Sequence, residues 1–296
     1  AVRARNEGAS AAAAIGAAGV VIRSISTSSN RVPHTGTLVY NIANPRIPAV
    51  AISNPDADLL ERQLAGGAPV RLRMRVTARD LPQTRSANVI GEIPGSDPDA
   101  GIVLLGAHLD SWDPGQGALD DGAGVAIVIA AAHQLAALQP RRTVRVVLFA
   151  NEEFGLSGAN RYAADEGPAV AQHAFAMEAD TGAGPVWKLG SLVPAAQWPL
   201  VQRIQRAVAS LGVELGKNES ASGADLGPLR RRGVPIISPL LDASRYFDVH
   251  HTANDTLDKV DPAALRQSVA VFAIAAYLAA MEPGPIARLP EGPPSH

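Results

Sequence analysis

Apolar positions along this chain fall into two regimes. Up to about residue 78 they come in short, interrupted groups. "ASAAAAIGAAGVVI" (9–22) reads as an alanine-rich helix, a glycine break at Gly16 to Gly19, then the strand "GVVIRSI". After the polar loop "STSSNRVPHTG" comes "IPAVAIS", and "NPDADLLERQLAGG" reads as a helix capped by Asn54 and closed by glycines. Val70, Leu72, Met74 and Val76 alternate with arginines in "PVRLRMRVTA", the period-two signature of a half-buried strand. This region carries no cluster of catalytic residue types.

From about Ser86 the pattern becomes strand, helix, strand. "ANVIGEIPG" and "GIVLLGAHLD" read as strands joined by the turn-rich "SDPDA". "GAGVAIVIAAAHQLAAL" is apolar nearly all round and so predicts a buried helix. "RRTVRVVLFANEE" is a strand, "GLSGANRYAAD" a helix, "HAFAMEAD" a strand and "AQWPLVQRIQRAVASLG" an amphipathic helix. "VPIISPLLD" is a further strand, and "DPAALRQSVAVFAIAAYLAAME" a last helix with Asp261 as N-cap and Pro262 at its first position. This alternation predicts an α/β domain, with helices on both faces of a largely parallel sheet. The Pro/Gly-rich tail "PGPIARLPEGPPSH" is expected to be disordered, and no internal repeat is visible.

Composition narrows the function classes. The chain has 296 residues, 47% hydrophobic and 18% charged, as a soluble globular protein does. That length suits one large domain, or one domain and part of another. A formal net charge of -2 gives no strong attraction to nucleic acid or anionic membranes. No run of about 18 unbroken apolar residues is present, so no membrane span is predicted. Absence of cysteine excludes disulfides and thiolate ligands, leaving His, Asp and Glu to hold any metal. It leaves the compartment open.

In open α/β sheets the working site lies beyond the carboxyl ends of the strands. His108 and Asp110 follow "GIVLLGA", Glu152 and Glu153 follow "TVRVVLFAN", and Asp180 follows "AFAMEA". Asp120 and Asp121 open the buried helix, and His250 and His251 lie in the loop "YFDVHHTANDT". Singly, each has a bland reading: a core histidine, a helix N-cap, a solvated strand end, a turn former. Together they would concentrate negative charge at one edge, which a pair of divalent cations relieves. His and carboxylate ligands suit hydrolytic zinc, with manganese or cobalt as alternatives. Asp110, two residues past His108 on an extended chain, is placed to accept the second imidazole N–H.

Other sites fare less well. His133 within a helix and His34 in "VPHTG" lack acidic neighbours, and His173 falls at a strand start, the wrong end of the sheet. Ser157 lacks the spacing of a nucleophile elbow. "GQGALDDGAG" has neither dinucleotide-binding spacing nor a phosphate-binding lysine.

"GAHLDSWDPGQGALDDGAG", "FANEEFGLSGAN", "MEADTG" and "HHTANDT", in this order, resemble the co-catalytic di-zinc exopeptidases. That family includes bacterial zinc aminopeptidases, glutamate carboxypeptidase and the transferrin receptor. The resemblance covers roughly residues 86–283. It implies a three-layer zinc-exopeptidase fold, with a mostly parallel mixed sheet between helices in residues 79–283. Residues 1–78 resemble part of a protease-associated domain, which the family inserts after an N-terminal catalytic segment. No such segment is visible here, so the chain is expected to be part of a longer one, with 284–296 as its tail.

Residue by residue, the resemblance implies that Asp120 bridges two zinc ions, with a cis peptide bond to Asp121. His108 and Asp180 would hold one ion, and Glu153 and His251 the other. Glu152 would be the general base, and His250 would stabilise the oxyanion. Asp110 and Asp121 would support the ligands. Asp225 in "SGADLG" matches a residue near the substrate pocket of relatives, although a helix N-cap is an equal reading. The implied activity is hydrolysis of dipeptides or of the N-terminal bond of short peptides. A single-zinc glutaminyl-cyclase-like enzyme and a non-catalytic binding ectodomain are the competing readings. Relatives nearest in wording imply a secreted, periplasmic or lysosomal homodimer.

Overall fold

In a computed structural model, which describes residues 2–79, 81–220 and 223–292, the chain divides into two units. The first comprises Ala1–Arg85, Trp112–Gln116 and Phe247–Asp255, and the second Ser86–Ser111, Gly117–Tyr246 and Thr256–His296.

Within the first unit, α1 (Val2–Ala14) is followed by β1 (Val20–Arg23), β2 (Ala49–Ile52) and α2 (Asn54–Ala65). The two strands pair in parallel. Ala9, Ala13 and Ile47 form a small core, against which Val20, Leu38 and Tyr40 pack. Ser53, not Asn54, caps α2: its Oγ accepts the Asp56 N–H at 3.3 Å. Asn54 instead donates its side-chain amide to the Ser26 carbonyl at 2.9 Å. The strand expected from "PVRLRMRVTA" does not form. Residues 71–79 have no regular secondary structure, with Met74 half-buried and the arginines exposed. Alternation identifies a face, but a strand also needs a neighbour for its backbone N–H and C=O groups.

The second unit follows the strand–helix alternation more closely. In order come β3 (Val89–Ile93), β4 (Ile102–His108), α3 (Ala123–Leu135), β5 (Thr143–Phe149), α4 (Ser157–Glu166) and β6 (His173–Glu178). Then come β7 (Val186–Leu192), α5 (Trp198–Val208), β8 (Glu214–Leu215), α6 (Gly227–Arg231), β9 (Ile236–Leu241) and α7 (Pro262–Met281). They build a seven-stranded sheet in the order β3-β5-β4-β6-β9-β7-β8. The inner strands β5, β4, β6 and β9 are parallel. β3 runs antiparallel to β5, and β7 antiparallel to β9. β4 is buried at every position, as a central parallel strand covered on both faces should be.

Period two divides the strand side chains between two cores. Val103, Leu105, Val144 and Met177 pack with α3, α5 and α7, through Ile127, Leu135, Ile204 and Phe272. Leu104, Val147, Phe149 and Ala176 pack on the other side with Tyr162, Leu226 and Leu229 from α4, α6 and the turn before it. The result is a sheet with helices on both faces, the expected three layers. Two expectations need correction. α3 is buried on one face only, with Ile129 49% exposed. Residues 284–292 are anchored: Leu289 N–H donates to the Gly233 carbonyl at 2.9 Å, and Arg288 Nη1 to the Val170 and His173 carbonyls at 3.3 Å. Residues 293–296 lie outside the described residues.

α7 has the length and hydropathy of a membrane-crossing helix. Its buried face, including Val271, Phe272, Ala275, Ala276 and Ala279, belongs to the core just described. Asp261 caps it as expected, accepting the Ala263 N–H at 2.9 Å.

Candidate functional site

β4 is where the order of the sheet reverses, because the chain passes from β4 to β5 on one side and then to β6 on the other. Such a switch point opens a crevice at the carboxyl ends of the strands. His108 ends β4, Glu152 and Glu153 follow β5, and Asp180 lies two residues past β6.

Three side chains converge there. His108 Nε2 lies 3.2 Å from Asp120 Oδ1 and 3.5 Å from Asp180 Oδ1. These three ligand atoms form a group compatible with one metal ion. On its other side the His108 ring meets the Asp110 backbone, with Nδ1 2.9 Å from the carbonyl oxygen. An Nδ1–H donated to that carbonyl leaves Nε2 as the ligand atom, the usual arrangement for a metal-binding histidine. The partner is thus the main chain of Asp110, where the sequence pointed to its carboxylate. That carboxylate is used elsewhere: Oδ1 accepts the Glu152 N–H at 2.9 Å and Oδ2 the Glu153 N–H at 3.2 Å. It ties the end of β4 to the turn after β5.

Asp121 is buried and turned to the backbone. Its carboxylate accepts the His108 N–H at 3.0 Å and the Gly124 N–H at 3.1 Å. The Asp120–Asp121 peptide is cis, as the resemblance implies. Gly124 is required by packing, since a Cβ there would lie 2.0 Å from the Ala179 carbonyl oxygen.

Charge in this crevice is one-sided. Burial disfavours a charge on His108, but the Asp120 and Asp180 carboxylates outweigh it and hold the imidazole well above its usual range. Burial, then Asp180, raises Asp121. Burial and the Asp180 carboxylate push Glu152 up to about 7. Burial and the Glu152 carboxylate push Asp225 up to about 8. So many acids around one imidazole call for a cation. The donor set, imidazole nitrogen and carboxylate oxygen without thiolate, fits zinc.

Asp225 is 1% exposed, and neither carboxylate oxygen has a hydrogen-bond partner among the described residues. It is not the helix N-cap that the sequence also allowed, because Leu226 stands at the cap of α6. Glu178 escaped the sequence reading. Its carboxylate accepts the backbone N–H groups of Asp225 at 3.2 Å and Leu226 at 3.0 Å. Gly223 allows this approach, since a Cβ there would overlap the Glu178 carboxylate. A carboxylate between Met177 and Ala179, at the end of the apolar run "AFAM", was the available signal. Tyr246 was also missed. It is buried, and its hydroxyl faces the Asp120 carboxylate, which together with burial holds the phenol well above its usual range.

The remaining candidates, His250 and His251, belong to the first unit. Their rings stack at 3.5 Å with an interplanar angle of 20°. His251 Nδ1 lies 3.2 Å from the Thr35 carbonyl oxygen, while the Thr35 N–H donates to the His251 carbonyl at 3.1 Å. Donation from Nδ1 again leaves Nε2 for a ligand. Trp112 packs on this ring at 5.3 Å between centroids. His34, in the loop that supplies Thr35, is buried. Glu153 is buried beside Glu152.

Comparison with known proteins agrees with this fold. The chain is 34% identical over 284 residues to carboxypeptidase Q of Homo sapiens, covering 94% of this chain and 59% of that protein. The chain therefore spans less than two thirds of the length of that relative. A solved structure, the peptidase M28 precursor from Shewanella amazonensis SB2B, matches with a TM-score of 0.90 and 44% identity, covering 98% of this chain and 66% of that one. The aminopeptidase from Aneurinibacillus sp. strain AM-1 shares the fold, with a TM-score of 0.64 at 24% identity over 97% of this chain and 68% of its own. The sequence profile of peptidase family M28 matches residues 88–276, from β3 into α7 and through every strand that carries a candidate ligand of the second unit. The chain belongs to peptidase family M28.

Proposed function

We propose that the protein is a metal-dependent exopeptidase that hydrolyses dipeptides or removes the first residue of short peptides. The observation that carries this reading is the meeting of His108, Asp120 and Asp180 in the same crevice as the half-buried Glu152. Those three residues would hold one zinc ion. By the family motif, Asp120, Glu153 and His251 would hold a second, with manganese or cobalt as substitutes. When bound, such ions lower the pKa of water and polarise a scissile carbonyl.

Glu152 supplies the proton transfer. It takes a proton from the attacking water and delivers it to the leaving amine, the two steps asked of a general acid–base. Asp110 fixes the turn that carries it. Asp225, buried and acidic, takes the free α-ammonium group of the substrate, which limits cleavage to a chain end. His250, stacked on His251, is assigned to the oxyanion. By the same resemblance, residues 1–78 are assigned to a protease-associated domain and the whole protein to an exported homodimer.

The test is a dipeptide panel assayed with and without chelator. Turnover is expected to require metal and a free amino terminus. Glu152→Gln is expected to lower kcat by about 100- to 10,000-fold with zinc content near wild type by elemental analysis. Glu153→Ala and His251→Ala should instead lose metal. Full turnover by Glu152→Gln would remove Glu152 from its role. Turnover that survives exhaustive chelation would overturn the metal reading.

A further inference from the structure

Tyr246 is a buried phenol among acids. Its hydroxyl faces the Asp120 carboxylate. Its backbone N–H is spent on the Ala243 carbonyl at 3.1 Å, so the residue sits in a closed turn after β9. Its ring lies against Gly182, where an added Cβ would come within 3.0 Å of the ring carbon Cδ2. Gly182 has φ +91, a conformation that favours glycine, and follows Asp180 by two residues. One side chain thus bears on two of the three converging ligands. Its hydroxyl faces the carboxylate of Asp120, and its ring backs the turn that carries Asp180.

We infer that Tyr246 is a positioning residue for the metal centre, orienting the Asp120 carboxylate by its hydroxyl and the Asp180 turn by its ring. This rests on the metal reading proposed above. A carboxylate beside several others is repelled from the geometry in which it would share a cation. A neutral O–H donor directed at it fixes its orientation without adding charge. Hydrogen-bonding partners behind metal ligands are worth about 10–100-fold in metal affinity when removed. Tyr246 touches neither the water nor the scissile bond in this assignment, so its loss should act through metal binding.

Tyr246→Phe isolates the hydroxyl and keeps the ring on Gly182. In metal-depleted protein, zinc affinity is read by competition with a chromogenic chelator, and the Tm of the metal-free form is read in parallel. The expected result is a loss of about 10–100-fold in zinc affinity, and kcat recovered at saturating zinc. Wild-type zinc affinity with a lowered metal-free Tm would show a packing role and overturn the inference. So would wild-type affinity with kcat lowered at saturating zinc, which would place the hydroxyl on substrate. If wild-type protein itself binds no zinc, the metal reading fails and this inference with it; wild-type binding with an unaffected variant overturns the inference alone. Should Tyr246→Phe fail to fold, Gly182→Ala crowds the ring while leaving the hydroxyl, and is expected to weaken zinc in the same direction. Unchanged affinity there overturns the inference.

Discussion

Asp110 acts through the main chain at both ends. Its carbonyl faces His108 Nδ1, and its two carboxylate oxygens accept the consecutive N–H groups of Glu152 and Glu153. The pair of glutamates is therefore held from behind. Asp110→Asn keeps the size but replaces one acceptor with an NH2 donor aimed at an N–H. We expect kcat to fall on the order of 10–100-fold, with zinc retained, because His108 still has its carbonyl partner. A wild-type kcat in steady-state assays would show that the tie is dispensable. The candidate ligands His108, Glu153 and Asp180 were legible because strand ends are legible. An apolar run that stops at a His or an acid marks the sheet edge without any knowledge of the fold. Glu178 and Tyr246 were not, because their meaning depends on contacts with Asp225 and Asp120, 47 and 126 residues away respectively. No periodicity encodes such a distance.

At the scale of elements, the site depends on how closely α3 approaches β6. Gly124 sits in the first turn of α3, and a Cβ there would lie 2.0 Å from the Ala179 carbonyl and 2.2 Å from Asp121 Oδ1. Gly124→Ala must push the helix away or displace Asp121, whose carboxylate holds the His108 N–H. We expect a loss of about 1–3 kcal/mol in stability, read by urea unfolding, and weaker zinc binding in the same variant. An unchanged midpoint would mean that the helix relaxes freely. Elements with long apolar runs, such as β4, β5 and α7, were legible from sequence. β7 was not, because Trp187, Lys188, Gly190 and Ser191 break its pattern, and its antiparallel partner β9 supplies the order instead. Residues 71–79 show the converse, a clean alternation with no pairing strand.

For the whole molecule, the acid limit of stability is set partly at the end of the sheet opposite the site. His173 opens β6, is 1% exposed, and its Nε2 lies 2.7 Å from the Tyr162 hydroxyl. Arg145 also hydrogen-bonds that hydroxyl, at 2.8 Å, and forms ion pairs with Glu92 and Glu166. Burial, then the Arg145 charge, pulls His173 down to about 4. In the unfolded chain an imidazole takes its proton near 6.5. Between those values the unfolded state binds a proton that the native state refuses, so stability falls as pH drops and is fully present above about 6.5. The shift corresponds to a loss on the order of 3 kcal/mol by pH 4. The acids of the crevice act oppositely in metal-free protein, because carboxyl groups raised by burial favour the native state at low pH. Comparison with His173→Gln, which retains a partner for Tyr162, cancels their contribution. The stability advantage of wild type over the variant is expected to shrink steadily from pH 7 to pH 4.5 in denaturant titrations. A constant difference would mean that His173 titrates normally and that the buried Tyr162–His173 pair opens to water.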